Sequence, residues 1–368
     1  MAAFVYLALY YALFYFRVAR KQAKAEQKGM SETLLGGMPK VSIVIVAHNE
    51  AAFLKESMPY LLEQDYPNYE VVVVDYMSKD DTRFVLKVCS ENYQSLKPVY
   101  FPEDVNMFQG KTYPLSIGIK SASGDIILLT EADCVPRGFS WVSAMVKRYA
   151  ARQVQMVMGY GGVKQSKGLL NVLQQYDNVS DAVSWMGYQM LGMPYSGTGR
   201  NLSFRRDFFF QQGSFIKQYT MPYGADDLFV NQNATKYNTS LCLNSESFVL
   251  TDAATTLAIW IKRRKARYGT RKHYPFYQKM LLAMRPLSVV LLYAAGALLA
   301  TENFPWQYLM LAWVLLMAWQ VFALSQVTKH FEVRKIHFFA PLLEIYFTVA
   351  NTILRISTLH KAKTPRWR

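Results

Sequence analysis

The sequence predicts an α/β domain on an open, mainly parallel sheet, with membrane-suited apolar segments before and after it. Three observations carry this. Strand-like and helix-like stretches alternate from residue 41 to residue 133. Carboxylates recur at the ends of successive strand candidates. The long apolar runs are confined to the two ends of the chain.

The first run, residues 2–16, is apolar and tyrosine-rich, and Arg17, Arg20, Lys21, Lys24 and Lys28 follow it. A cleavable signal peptide carries its charge before the apolar stretch, so an anchor over residues 1–18 is expected, with its C-terminal side cytoplasmic. At about 20 residues for a full span, the run is short. Residues 19–40 suit a basic linker, glycine-bearing in its second half.

From residue 41 the pattern changes, opening a domain expected over residues 41–280. VSIVIVA (41–47) is a continuous β-branched run, the signature of a strand buried on both faces. AAFLKESMPYLLEQ (51–64) has helical spacing and YPNY makes a turn. EVVVVD (70–75) is a second buried strand, DDTRFVLKVCSEN (80–92) a second helix, and DIILLTEAD (125–133) a third strand ending in carboxylates. Sheets of this kind bind ligands beyond the carboxyl ends of their strands. Asn49, Glu50, Asp75, Glu131 and Asp133 all fall there.

Residues 286–301 and 306–326 form an apolar hairpin joined by ENFP, assigned to a membrane segment over 284–326. In residues 338–357, Glu344, Thr348, Asn351, Thr352 and Arg355 make a polar stripe, which suits a helix lying in the interface or one packed inside a bundle. Lys329, Arg334 and Lys335 precede this run and Lys361, Lys363, Arg366 and Arg368 follow it, so the interfacial or re-entrant form is preferred for 327–368.

Lysine and arginine outnumber aspartate and glutamate by 41 to 26. Because these basic residues flank apolar segments, the expected partner is a membrane surface and not nucleic acid. The three cysteines, Cys89, Cys134 and Cys242, show no CxxC pairing, which argues against a disulfide scaffold and fits a reducing compartment.

Four stretches carry chemistry. In TEADCVP (130–136), two carboxylates one residue apart at a strand end can hold a hard divalent cation. In GADDLFVNQNA (224–234), Asp226 and Asp227 follow a glycine turn and open a helix, where one carboxylate can act as general base or simply cap the helix. WIKRRKARYGTRKHY (260–274) offers guanidinium forks for a diphosphate and an aromatic face for a sugar, or a basic belt for anionic lipid. GTGRNLSFRRD (197–207) holds two glycines in a tight loop that can approach a ligand or merely turn. His48 and His273 are read as lone structural histidines.

Taken in order, VSIVIVAHNE, QDYPNYEVVVVDYMSKDDT, GKTYPLSIGIKSASGDIILLTEADCVP, GTGRNLSFRRD, GADDLF and RRKARY resemble the family 2 glycosyltransferases of GT-A (Rossmann-like) fold. The resemblance implies an inverting transfer from a nucleotide-diphosphate sugar, a UDP-sugar being the expected donor, with Mg2+ or Mn2+. The acceptor is expected to be a hydroxyl of a lipid-linked or membrane-proximal glycan, and the location a cytoplasmic (inner) membrane with the domain on the cytoplasmic side. Residue by residue, it places Asn49, Glu50, Asp75, Gly110, Lys111, Glu131, Arg264 and Arg267 at the donor. Asp133 with Glu131 falls at the metal, Asp226 or Asp227 at the general base, and Gly199, Arg200, Asn201 and Tyr268 at the acceptor. The chain departs from the family pattern at Tyr76, Glu131, Ala225, Arg264 and Tyr268. The departures at Tyr76, Glu131 and Ala225 leave a non-catalytic scaffold as one alternative, against which the retained Asp133, Asp226 and Arg-x-x-Arg spacing argue. A processive polysaccharide synthase is the other, disfavoured by the small number of C-terminal membrane segments.

Overall fold

The computed structural model describes residues 1–28, 37–101, 110–219, 221, 223–302, 305–333 and 336–359. Part of the expected linker (29–36), Arg334, Lys335 and the basic tail with Lys361, Lys363, Arg366 and Arg368 lie outside the described residues. The chain forms two compact units. Of the described residues, one comprises 24–28, 37–101, 110–164, 192–219, 221 and 223–252; the other comprises 1–23, 165–191, 253–302, 305–333 and 336–359.

The first unit is built on a sheet of seven strands with a smaller sheet of three. In chain order the strands are β1 Val41–Ala47, β2 Tyr69–Asp75, β3 Leu96–Tyr100, β4 Ile126–Leu129, β5 Cys134–Pro136, β6 Met156–Gly159, β7 Gly161–Val163, β8 Leu202–Arg205, β9 Thr239–Cys242 and β10 Val249–Thr251. The large sheet runs β3-β2-β1-β4-β8-β6-β9 and the small one β5-β10-β7. Every residue of β1 is buried, as its unbroken apolar sequence requires. The helix Thr112–Ser121 lies close on β1 and β2. A Cβ at Gly118 would approach Val44 to 2.7 Å and Val74 to 2.9 Å, so only glycine allows this packing.

Pairing is parallel through β3, β2, β1 and β4, then reverses, because β8 runs antiparallel to both β4 and β6. Leu202 at the start of β8 therefore pairs with Leu129 at the end of β4. The approach to an antiparallel strand is thus delivered to the edge where the parallel strands finish.

Two details differ from the sequence expectation. The third strand ends at Leu129 and not at Asp133, because the Cys134 N–H turns back onto the Glu131 carbonyl (3.0 Å). Its carboxylates thus sit on the turn between the two sheets. The strand β3 carries no apolar alternation that would announce it. It is an edge strand with Lys97 and Pro98 at its centre, and only Leu96 is buried.

The second unit is helical. Residues 165–191 and 253–280, placed with the sheet domain by sequence, pack here. The helix Leu169–Met190 is tied by ion pairs from Asp177 and Asp181 to Arg264 and Arg267 of the helix Leu257–Thr270 and to Arg271 just after it. Among the described residues, four helices are long and apolar enough to cross a membrane: Ala2–Lys21, Phe276–Thr301, Trp306–His330 and Ile336–Ser357. The first extends beyond the expected residues 1–18, because the helix continues through a π-helical turn at Tyr11–Phe16 into Arg17–Lys28. Each of the four sends one polar side chain to a common knot. Glu344 accepts from Arg285 Nε (3.1 Å), Gln320 Nε2 (2.8 Å) and the Tyr11 hydroxyl. The inward turn of Glu344 and of Asn351, which accepts from Arg264, corresponds to the packed-bundle form of the polar stripe.

Candidate active site

The loops after β1 and β2 brace one another. Asn49 adopts a left-handed backbone (φ 56°), its Oδ1 accepts from Lys79 N (2.7 Å), and its own N–H donates to Ser78 Oγ (3.0 Å). Asp75, buried at the end of β2, accepts from Ser78 N (3.2 Å). Ring Nδ1 of His48 bonds the Tyr76 carbonyl (2.6 Å), a structural role in keeping with a lone histidine. Much of the hydrogen-bonding capacity of Asn49 and Asp75 is therefore committed to holding this edge of the sheet.

Beyond it stands a charged cluster. Glu131 lies between two cations, Lys111 Nζ and Arg200 Nε, the latter at 3.0 Å. Burial opposes ionisation of Glu131, but Lys111 and Arg200 overcome it and hold the carboxyl far below its usual range. Burial likewise disfavours the Lys111 ammonium, and Glu131 with Asp226 reverses this, so that its pKa is raised. Gly110, in a left-handed conformation (φ 103°), presents Lys111 at the start of the helix Thr112–Ser121.

Asp226 and Asp227 open the helix Ala225–Asn233 after Gly224 (φ 82°), as the sequence implies. They diverge. Asp227 is buried and accepts from Ser196 Oγ (2.6 Å), whereas Asp226 is half-buried and accepts from Gly199 N (2.6 Å). Gly199 N–H thus holds Asp226 while the next residue, Arg200, holds Glu131. This single dipeptide, leading into β8, gathers carboxylates from distant parts of the chain. A Cβ at Gly199 would fall on the Asp226 carboxylate.

Glu131, Asp133 and Cys134 place potential ligand atoms within 4.8 Å of one another. Their chemistry differs. The Cys134 thiol is kept protonated by burial and by the neighbouring Asp133 and Glu131 charges, and sulfur is a poor ligand for hard cations in any case. Glu131 is already engaged by two cations. Asp133 accepts from Thr251 Oγ1 (2.8 Å) on β10. Glu50 shares this environment: burial, then Asp133 and Glu131, push its carboxyl up to about 8.

The model of the family described as Glycosyl transferase family 2 matches residues 42–220, the segment that holds Asn49, Asp75, Lys111, Glu131, Asp133 and Arg200. Those residues form a family 2 glycosyltransferase domain. Among relatives, a probable glycosyltransferase YdaM of Bacillus subtilis is 33% identical over 101 residues, covering 27% of this chain and 24% of that protein. A beta-monoglucosyldiacylglycerol synthase of Trichormus variabilis is 30% identical over 111 residues, 30% of this chain and 23% of that one. The chain thus spans about a quarter of the length of these two curated relatives. The mannosyltransferase PcManGT from Pyrobaculum calidifontis, solved in complex with GDP-Man and Mn2+, superposes with a TM-score of 0.51. It is 19% identical, covers 95% of this chain and 99% of its own, and shares the GT-A fold.

Within the glycosyltransferase domain, Asn201 does not present itself to a ligand. It is 0% exposed, its amide donates to the Tyr160 and Ser247 carbonyls (3.0 and 2.6 Å), and its oxygen accepts from Trp141 Nε1 (3.1 Å). The expected acceptor contact is corrected to a buried cross-link beneath the 198–201 loop. Arg264, Arg267 and Tyr268, assigned to donor and acceptor by resemblance, pack within the helical unit. Arg264 is 2% exposed, pairs with Asp177 (3.2 Å) and Asn351, and lies over the Trp260 and Phe347 rings. These contacts are those of an arginine that holds helices together. Tyr268 is buried, with Arg271 over its ring at 4.5 Å, and Arg267 pairs with Asp181 (3.2 Å).

Sequence reasoning missed Thr251, Ser196, Asp177 and Asp181. For the last two a signal existed. They lie four apart on one helix, matching Arg264 and Arg267 on another and Arg271 directly after it.

Proposed function

We propose that this chain transfers a sugar from a nucleotide-diphosphate sugar to a hydroxyl of a lipid-linked or membrane-proximal acceptor, with inversion at the anomeric carbon. One observation carries the reading: Gly199 and Arg200 hold Asp226 and Glu131 at one sheet edge, with Lys111 feeling both carboxylates. Membership of the family supports the reaction class. The four apolar helices, together with a relative whose name specifies a diacylglycerol product, support an acceptor at a membrane.

In this reading Asp226 takes the proton of the acceptor hydroxyl. The acceptor oxygen bonds to the anomeric carbon from the face opposite the diphosphate. The bond from that carbon to the diphosphate oxygen breaks, and the nucleoside diphosphate leaves with the electron pair. The Gly199 N–H fixes one Asp226 oxygen, so the other is aimed at the acceptor. Lys111 and Arg200 are the cations suited to meet the departing charge, and Glu131 keeps them charged and oriented until the donor arrives. Asp133 is the carboxylate suited to a divalent ion, since Glu131 is engaged and Cys134 is a neutral thiol. When bound, Mg2+ or Mn2+ would neutralise diphosphate charge in the way it does throughout phosphate chemistry.

The test is a panel of nucleotide sugars incubated with the purified full chain in detergent, with and without Mn2+ or Mg2+, following release of the nucleoside diphosphate. Cation-dependent turnover of one donor is expected, and its product length with a supplied acceptor separates single addition from polymerisation. No turnover and no nucleotide-sugar binding across the panel would establish the non-catalytic scaffold instead.

A further inference from the structure

Asp133 sits part-exposed on the turn between the two sheets, where the Cys134 N–H returns to the Glu131 carbonyl (3.0 Å) and holds the backbone but not the side chain. A residue 118 positions away supplies what the turn does not. Thr251, the last residue of β10 and 1% exposed, donates its hydroxyl to Asp133 Oδ2 at 2.8 Å, a favourable length for O–H···O. We propose that Thr251 is a positioning residue for the divalent ion, fixing the Asp133 carboxylate in the orientation that receives it. This rests on the reading of Asp133 as the carboxylate suited to that ion.

The hydroxyl is a fixed point because the small sheet holds its backbone from both sides. Thr251 pairs with Cys134 of β5, the residue directly after Asp133, and with Val163 of β7. Its carbonyl accepts from Lys164 N (2.8 Å). The next residue is pinned as well: Lys164 Nζ reaches Asp252 (2.9 Å) and Glu56 (2.5 Å) of the helix Ala51–Leu62. Thr251 is also β-branched, so its side chain has little rotational freedom of its own. Asp133 is therefore tied to the most immobile kind of partner a short polar side chain can have.

The donor set suits this role. A hydroxyl has one proton, and here it goes to Asp133. Oδ1 of the same carboxylate meets the Cys134 thiol at 3.6 Å, and a thiol is a weak donor. An ionised carboxylate accepts at about four lone-pair positions, so one bond from Thr251 orients the group and leaves it able to bind a hard cation. Ordering the ligand before the ion arrives removes that cost from binding. Thr251 itself is buried and acts through Asp133. A residue that merely closed the small sheet could equally be valine, which has the same shape and suits a strand as well.

Mn2+ binding to the purified full chain in detergent tests this, read as loss of the electron paramagnetic resonance signal of free Mn2+. Thr251→Val removes the donor and keeps the shape, and its Mn2+ affinity should fall by about 10- to 100-fold with the metal-free melting temperature held. Thr251→Ser keeps the donor and should bind as the unaltered chain does. Thr251→Ala should repeat the loss, so the result does not rest on one variant's folding. Undiminished affinity in a folded valine or alanine variant, where Asp133→Asn has lost it, overturns the proposal alone. An equal loss in Thr251→Ser overturns it too, because packing and not the hydroxyl would then be at work. No Mn2+ binding by the unaltered chain, or binding that Asp133→Asn leaves intact, overturns the metal reading of Asp133 and this proposal with it.

Discussion

Two arginine–carboxylate clusters in this chain use the same chemistry to opposite ends. At the edge of the sheet, Glu131 bridges Lys111 and Arg200, all three part-exposed and held by loops. In the helical unit, Arg264 meets Asp177 with 2% and 8% of their side chains exposed, under aromatic rings. The first cluster can exchange its internal counter-ion for a ligand's phosphate; the second has no surface through which to do so. The difference teaches that an arginine's neighbours in space, and not its motif, decide whether it binds a substrate or a helix.

The largest test of that contrast lies beside the first cluster. Asp226→Asn should lower transfer by about 10²–10⁴-fold, the usual contribution of a positioned base, with an unchanged melting temperature. Full activity in this variant would break the assignment, and loss with Asp227→Asn alone would move it one residue. In the second cluster, Arg264→Ala leaves Asp177 buried without the nearer of its two arginine partners. The expected loss is about 3–5 kcal/mol of stability, read as a fall in melting temperature with the KM for the nucleotide sugar unchanged in the fraction that stays folded. A raised KM at unchanged stability would instead restore the donor-binding role that the Arg-x-x-Arg spacing suggests.

Gly199→Ala sharpens the comparison, since the added methyl collides with Asp226 while leaving Arg200 and Glu131 in place. A fall of about tenfold to a hundredfold in kcat is expected, with little change in donor KM. The smallest effect concerns pH. The Glu50 carboxyl is raised to about 8 by burial and by Asp133 and Glu131, above its value in the unfolded chain. The folded protein therefore binds this proton more tightly, and stability falls as pH rises from the ordinary carboxylate range through about 8. Glu50→Gln should flatten that slope in melting temperatures measured from pH 5 to 8.

The core of this picture was legible in the sequence. β1 and the ends of its neighbours could be read because uninterrupted Val and Ile runs have few other structures available, and the GADD turn because glycine followed by two aspartates marks a helix start. β3 could not be, since an edge strand with a central proline lacks the pattern that betrays buried ones. The fate of Asn201 was equally hidden. Its neighbours Gly199 and Arg200 do face the cluster, and only the Trp141 and Tyr160 contacts show that the third residue turns inward. The role of Arg264 needed Asp177, which lies 87 residues earlier in a stretch marked only by the spacing of Asp177 and Asp181.

The reversal of β8 has a further bearing on how this chain tolerates change. Residues 198–201 must climb to the sheet edge and then enter a strand whose register is set by Leu202 opposite Leu129. Adding or deleting one residue here would slide Ser203 and Phe204 to the wrong sides of the sheet and detach the glycine amide from its aspartate in the same stroke. Variation in this short stretch is therefore open to composition and closed to length. Insertions that diversify acceptor choice have to enter elsewhere on the domain.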